Sequence, residues 1–282
     1  MSLETDIERI LGVAVASRAS LSGGCVGEVY RVDLGDGRSV VAKQGRPGSG
    51  LETEGWMLDY LAENSGLPVP QVFHADDTLL LMSFMENDGA LDGGAQEHAA
   101  ELLADLHGVT ATRFGLGRDT LIGGLVQPNE QTESWRVFFR DQRLLYMGGE
   151  ARHVGRLPEE LFKRLELFAG KIENWIAEPE HPSLIHGDIW EGNVLPDQGR
   201  IAGFVDPAIY YADPEIELAF STIFATFGEP FFRRYGEIRP IAPGFFEERR
   251  DIYNLYPLLV HVRLFGSGYV SGVENTLARF GF

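Results

Sequence analysis

The stretch Leu184-Ile185-His186-Gly187-Asp188-Ile189-Trp190-Glu191-Gly192-Asn193, followed by the turn Asp206-Pro207-Ala208, decides the fold. Three oxygen-bearing side chains stand here at fixed intervals: Asp188, then Asn193 five residues on, then Asp206 thirteen beyond that. A carboxylate that can orient and deprotonate a hydroxyl, with an amide and a second carboxylate as hard ligands for Mg²⁺, is the equipment of phosphoryl transfer. Singly, Asp and Asn are common turn formers. Together, between an apolar strand and a hairpin around Asp197-Gln198-Gly199, they are not explained by turns. Asp188 is therefore read as the catalytic carboxylate, and Asn193 and Asp206 as metal ligands.

The same spacing occurs in the H-R-D-x-x-x-x-N and D-F-G segments of protein kinases, with different filler. Upstream, Lys43 ends the strand Ser39-Val40-Val41-Ala42-Lys43, where an ammonium would meet the α- and β-phosphates of ATP. Its expected partner is Glu54 in the helical segment 51–64. Glu52 competes, but Leu58 and Leu61 continue the Glu54 face at i+4 and i+7. The turn Gly23-Gly24-Cys25-Val26-Gly27 offers backbone N–H groups to phosphates through Gly23, Gly24 and Gly27. A plain hairpin turn has the same composition, and the pattern departs from G-x-G-x-x-G. A thiol at Cys25, beside that turn, is a second reading of the segment as a redox-responsive site. The run Leu80–Met85 is read as a connector: Ser83, Phe84 and Met85 would meet adenine, with Leu81 and Met82 packing nearby.

Working outward, residues 4–11 form an amphipathic helix, Asp36-Gly37 a hairpin turn, and Gln71–His74 and Leu79–Phe84 two more strands. From 95 the pattern is helical over 95–107, 132–147, 158–178 and most of 213–282. The fold class is α+β: a protein-kinase-like bilobal fold, with a small five-stranded antiparallel β lobe carrying one helix and a larger, mainly helical lobe. The expected domains are 1–85, binding nucleotide, and 86–282, carrying catalysis and the acceptor.

Composition narrows the partners. A net charge of −18 over 282 residues excludes a generic nucleic-acid binder, because phosphate backbones recruit Lys and Arg. A single cysteine rules out an intramolecular disulfide framework. The amino terminus lacks a secretory pattern and no apolar run is long enough to span a bilayer. The expectation is a cytoplasmic protein, monomeric by default, with no nucleic-acid or membrane partner. His74, His98, His153, His181 and His261 show no metal-ligand spacing. His107 is read as a capping or packing residue.

The segments Leu184–Asn193, Asp206-Pro207-Ala208-Ile209-Tyr210-Tyr211-Ala212-Asp213-Pro214-Glu215-Ile216-Glu217-Leu218-Ala219, and Ile122–Asn129 followed by Trp135, resemble the fructosamine (ketosamine-3-) kinase family. That family is related to aminoglycoside phosphotransferases and choline kinases. Ser83, Ala212 and Glu217 stand where its members usually have Glu, Gly and Asp. The resemblance implies ATP and Mg²⁺ as cofactors and phosphorylation of the 3-hydroxyl of a ketosamine, a small molecule or a glycated amine. The 3-phosphate is unstable, which would make the enzyme a deglycation factor. It further implies acceptor contacts from Trp190, Gln127 and Asn129, and bracing of the catalytic loop by His186, Asp213 and Glu217. Alternatives are phosphotransfer to an aminoglycoside, a choline-like alcohol or another sugar, or a catalytically inactive nucleotide-binding module.

Overall fold

Alternation along short β-branched strands builds the amino-terminal sheet. In the computed structural model, which describes residues 2–21, 27–87 and 89–282, α1 (Leu3–Leu11) is followed by β1 (Val15–Ser20), β2 (Glu28–Leu34) and β3 (Ser39–Gln44). Then come α2 (Leu51–Asn64), β4 (Val72–Ala75) and β5 (Leu79–Ser83). The five strands form one antiparallel sheet in the order β1-β2-β3-β5-β4. Successive side chains point to opposite faces, so Val40, Ala42, Leu79 and Leu81 pack on Leu3 and Ile7 of α1. Val41, Leu80 and Met82 pack on Leu51 and Leu58 of α2. Lys43, two residues after Val41, shares the α2 face. Leu81 thus lies against α1, and Met82 alone of that pair lies on the α2 face.

The rest of the chain is mainly helical: α3 (Gly93–Leu106), α4 (Trp135–Phe138), α5 (Tyr146–His153), α6 (Glu159–Ala169), α7 (Glu215–Ile223), α8 (Glu229–Ile238), α9 (Arg250–Phe265) and α10 (Val270–Arg279). Its strands come as pairs: β6 (Thr120–Ile122) with β7 (Leu125–Gln127), β8 (Ser183–Ile185) with β11 (Tyr210–Ala212), and β9 (Val194–Asp197) with β10 (Arg200–Phe204). Three helical expectations need correction. The run over 132–147 is α4, a wide π-helical turn (Phe139–Leu145) and then α5, which continues to His153. The run over 158–178 stops at Ala169, where Gly170 follows. The carboxy-terminal run divides at Gly228, at the Pro240–Pro243 stretch and at Gly266.

The core of this part centres on Trp135, stacked 5.8 Å from Phe138 and 5.5 Å from Phe139. Its Nε1 donates to the Tyr253 hydroxyl at 3.0 Å, and that hydroxyl donates to Asp213 Oδ2 at 2.7 Å. A buried indole N–H needs such a partner. Among the described residues no helix is long and apolar enough to cross a membrane.

Candidate active site

The β9–β10 hairpin explains the thirteen-residue interval. Its turn has Gln198 at φ 49° and Gly199 at φ 73°, the two positive φ values that match the twist of a tight hairpin. Val194 pairs with Phe204, and Val205 N donates to Asn193 O at 3.0 Å. The chain therefore returns Asp206 beside Asn193. Asp206 itself adopts φ 54°, a conformation that Asp tolerates better than most residues.

Asn193 Nδ2 donates to Asp188 Oδ2 at 3.0 Å and to Asp188 O at 2.9 Å. Burial, followed by repulsion from Asp206, pushes the Asp188 carboxyl up to about 8 against that hydrogen bond. Lys43 Nζ donates to Glu54 Oε1 at 2.6 Å and also pairs with Asp206. Burial would lower the ammonium's pKa, but the Glu54 and Asp206 carboxylates hold it above its ordinary value. Burial raises Glu54, with Lys43 opposing. The expected partner is thus the observed one, and α2 brings it to the end of β3.

A second layer fixes the loop. Glu217 on α7 accepts Gly187 N–H through Oε1 at 2.6 Å, and its Oε2 lies 2.8 Å from His107 Nε2. His107 Nδ1 in turn meets the Tyr235 hydroxyl at 2.7 Å. Burial resists ionisation of Glu217, yet the His107 hydrogen bond and charge bring its carboxyl below the ordinary value. His186 O accepts Ala208 N–H at 2.7 Å, and its Nδ1 accepts Asp188 N–H at 3.4 Å. Asp213 does not reach the loop. It accepts Glu215 N–H at 2.9 Å at the start of α7, and so acts one helix away.

Two cavities meet at this point. One, of about 430 Å³, runs from Val29, Val41, Met82 and Leu195 to Lys43, Asn193 and Asp206, and includes Ser83, Phe84 and Met85. An apolar slot ending in a cation and oxygen donors suits adenine at one end and phosphates at the other. Ser83 N–H is already bound to Gln71 O at 2.8 Å, and its hydroxyl accepts Gln71 N–H at 2.9 Å. Its hydroxyl proton and its carbonyl are left for a nucleotide. The second cavity, of about 190 Å³, holds Lys43, Asp188, Asn193 and Asp206 together. Trp190 walls both.

The donor set fits Mg²⁺. Asn193 spends its amide N–H on Asp188, which leaves its amide oxygen, and Asp206 adds a carboxylate in the same cavity. Among the described residues no cluster of three or more His, Cys, Asp or Glu could cage a metal alone. One or two protein oxygens completed by phosphates and water is how Mg²⁺ is commonly held.

Gly23, Gly24 and Cys25 lie outside the described residues. Gly27 has φ 77°, and a Cβ there would sit 2.3 Å from Gln44 O, so the turn needs glycine at that end. Gln127 and Asn129 are not in the cavity lining. Both are buried with their polar atoms taken: Gln127 by Thr120, Ala208 O and Tyr256, Asn129 by Thr120, Arg118 O and Arg143. Gln127 Nε2 donates to Ala208 O at 3.0 Å, which props the Asp206 turn from behind. Missed at the sequence level are the aromatic residues of α7, its C-cap and α9 that line a further cavity beside Asp188, including Phe220, Phe224, His261 and Phe265. Their i, i+4 spacing is that of any helix face turned to a core.

Known proteins resemble this chain in sequence and in fold. A probable ketoamine kinase of Vibrio parahaemolyticus is 30% identical over 270 residues, covering 93% of this chain and 92% of its own. A crystal structure of a candidate fructosamine-3-kinase from Thermobifida fusca superposes with a TM-score of 0.87 at 32% identity, covering 98% of this chain and 97% of that one. A thermostable aminoglycoside phosphotransferase, solved with AMP-PNP and hygromycin B, superposes at 0.69 and 18% identity over 100% of this chain and 99% of its own. At that identity the likeness speaks for the protein-kinase-like fold alone. The family model described as fructosamine kinase matches residues 3–280, nearly the whole chain, and the chain belongs to that family.

Proposed function

We propose that this chain transfers the terminal phosphoryl group of ATP to the 3-hydroxyl of a ketosamine, with residues 1–85 holding the nucleotide and 86–282 the catalytic loop and acceptor. The observation that carries this reading is the meeting of Asp188, Asn193, Asp206 and Lys43 in one cavity walled by Trp190. Asp188 accepts the proton of the acceptor hydroxyl as its oxygen bonds to phosphorus and the bond to ADP breaks. Lys43, aimed by Glu54, binds phosphate oxygens. Asn193 fixes the Asp188 carboxylate and, with Asp206, would hold Mg²⁺, which when bound neutralises phosphate charge. Glu217 and His107 keep the loop in register through Gly187 N–H. Family membership carries the acceptor class, and the 3-phosphate formed would release the free amine, a deglycation.

The test is ADP formation with fructosyl- or ribulosyl-lysine against a panel of aminoglycosides and choline, with the phosphorylated position assigned by ³¹P–¹H coupling. Turnover confined to the ketosamines, with phosphate on O3 and loss of activity in EDTA, is expected. Turnover confined to the antibiotics or choline refutes the acceptor class.

A further inference from the structure

Beyond Asp188 a vestibule of about 260 Å³ opens between α7 and α9, where Phe220, Phe224, His261 and Phe265 are joined by Tyr269 from the next turn. Its polar inventory is short. Among the described residues Asp188 is the acid in its lining, and no Lys or Arg lines it. Phe224 is 39% and Phe265 56% exposed, so large apolar surfaces stand open beside the catalytic carboxylate. His261 lies among them, with ring centroids 5.2 Å from Phe224, 5.5 Å from Phe265 and 4.8 Å from Tyr269. Its Nδ1 is 2.7 Å from Pro257 O. A carbonyl only accepts, so Nδ1 carries the proton and Nε2 remains an acceptor. Burial lowers the imidazole pKa, which keeps the ring neutral at pH 7.

We propose that this vestibule holds the amine end of the acceptor and selects ketosamines whose nitrogen carries an uncharged apolar group, an aromatic one above all. The inference rests on the ketosamine reading above. A protonated secondary amine is attracted to the aromatic faces and can donate to His261 Nε2. Its apolar substituent then buries against Phe224 and Phe265. A carboxylate beside the nitrogen would meet no cation and would be desolvated near Asp188. A polycation would find one acid where several are needed. The alkyl stem of an ε-linked lysine fits, whereas an adduct on the α-amine of an amino acid does not.

Steady-state kinetics with two acceptors that share one sugar, the ketosamines of benzylamine and of glycine, test the inference. The wild-type KM for the benzyl acceptor should be at least about tenfold lower. Phe265→Ala and Phe224→Ala should each shrink that ratio to under about threefold. Phe265→Arg, which supplies the missing cation, should shift the preference toward the glycine acceptor. Similar wild-type KM values, or a ratio that all three variants leave intact, overturn the vestibule assignment while the ketosamine reading stands. If neither acceptor is turned over while fructosyl-lysine is, the vestibule assignment fails and the ketosamine reading stands; if fructosyl-lysine is refused as well, both fail.

Discussion

Two adjacent residues of the catalytic loop carry opposite constraints. Gly187 has φ 87°, and a Cβ there would lie 2.1 Å from Ala208 O, a backbone atom that cannot swing aside. Gly187→Ala should cost more than about 1 kcal/mol of stability and at least tenfold in kcat, since the Gly187 N–H bond to Glu217 must shift as well. Gly37→Ala is the control: its φ of 88° is equally strained, but nothing lies within 4 Å, and it sits at the far hairpin. Thermal unfolding with an ADP-release assay separates the two, and equal activity losses would contradict the steric account. Asp188 is constrained by charge instead. Burial pushes its carboxyl from 3.8 up to about 8, so a carboxyl at this position works against folding as pH rises above 3.8. Asp188→Asn should lower kcat by roughly 10²–10⁴ while leaving Tm unchanged or raised. Turnover above a few per cent of wild type would remove Asp188 from its catalytic role.

At the scale of elements, the two hairpins show what was legible in the chain. Asp197-Gln198-Gly199 between apolar pieces announced β9–β10, and with it the spacing of Asn193 and Asp206. The strands of β6–β7 have three residues each, too few for alternation to register, so 122–129 carried meaning only through family resemblance. That resemblance pointed to Gln127 and Asn129 without saying whether they face substrate or interior. The structure turns them inward because Thr120, Ala208 O, Arg118 O, Tyr256 and Arg143 compete for every polar atom they have. Lys43 and Glu54 were legible because a strand end and a helix face fix each other's direction. The vestibule aromatics were not, since residues at 220/224 and 261/265 look like ordinary core faces. Gln127→Leu discriminates the two roles for this hairpin. It should leave the Tyr256 hydroxyl and Ala208 carbonyl unpaired and cost about 1–3 kcal/mol. That is a Tm drop of roughly 2–4 °C per kcal/mol. A changed acceptor KM with unaltered Tm would instead return Gln127 to the substrate site.

At the scale of the whole molecule, 42 acids against 24 Lys and Arg make stability a contest between general repulsion and a few favoured carboxylates. Repulsion eases as pH falls from neutrality. Asp213 acts in the same direction: burial, then the Glu215 charge, push its carboxyl from 3.8 up to about 6, against the Tyr253 hydrogen bond. Its contribution to stability is full below 3.8 and is lost as pH rises through about 6. The opposite sign belongs to Asp33, held down to about 2 by Ser39, Ser17 and Arg31. Asp76 is likewise held near 2, first by the Thr78 backbone N–H. With Glu217, these groups contribute fully above the ordinary carboxylate values and lose that contribution as pH falls toward 2. Stability should therefore peak on the acid side of neutrality, between about pH 4 and 6, where repulsion has eased and the favoured carboxylates remain ionised. Added salt should raise Tm at pH 8 more than at pH 5, because screening relieves the repulsion that protonation otherwise removes. Glu217→Gln should flatten the decline below pH 4, since the buried carboxylate whose ionised form His107 favours is gone. Melting curves across pH 3–8 at low and high salt test the balance. A Tm that climbs steadily from pH 5 to 8 would show that local pairing, and not the net negative charge, governs the stability of this fold.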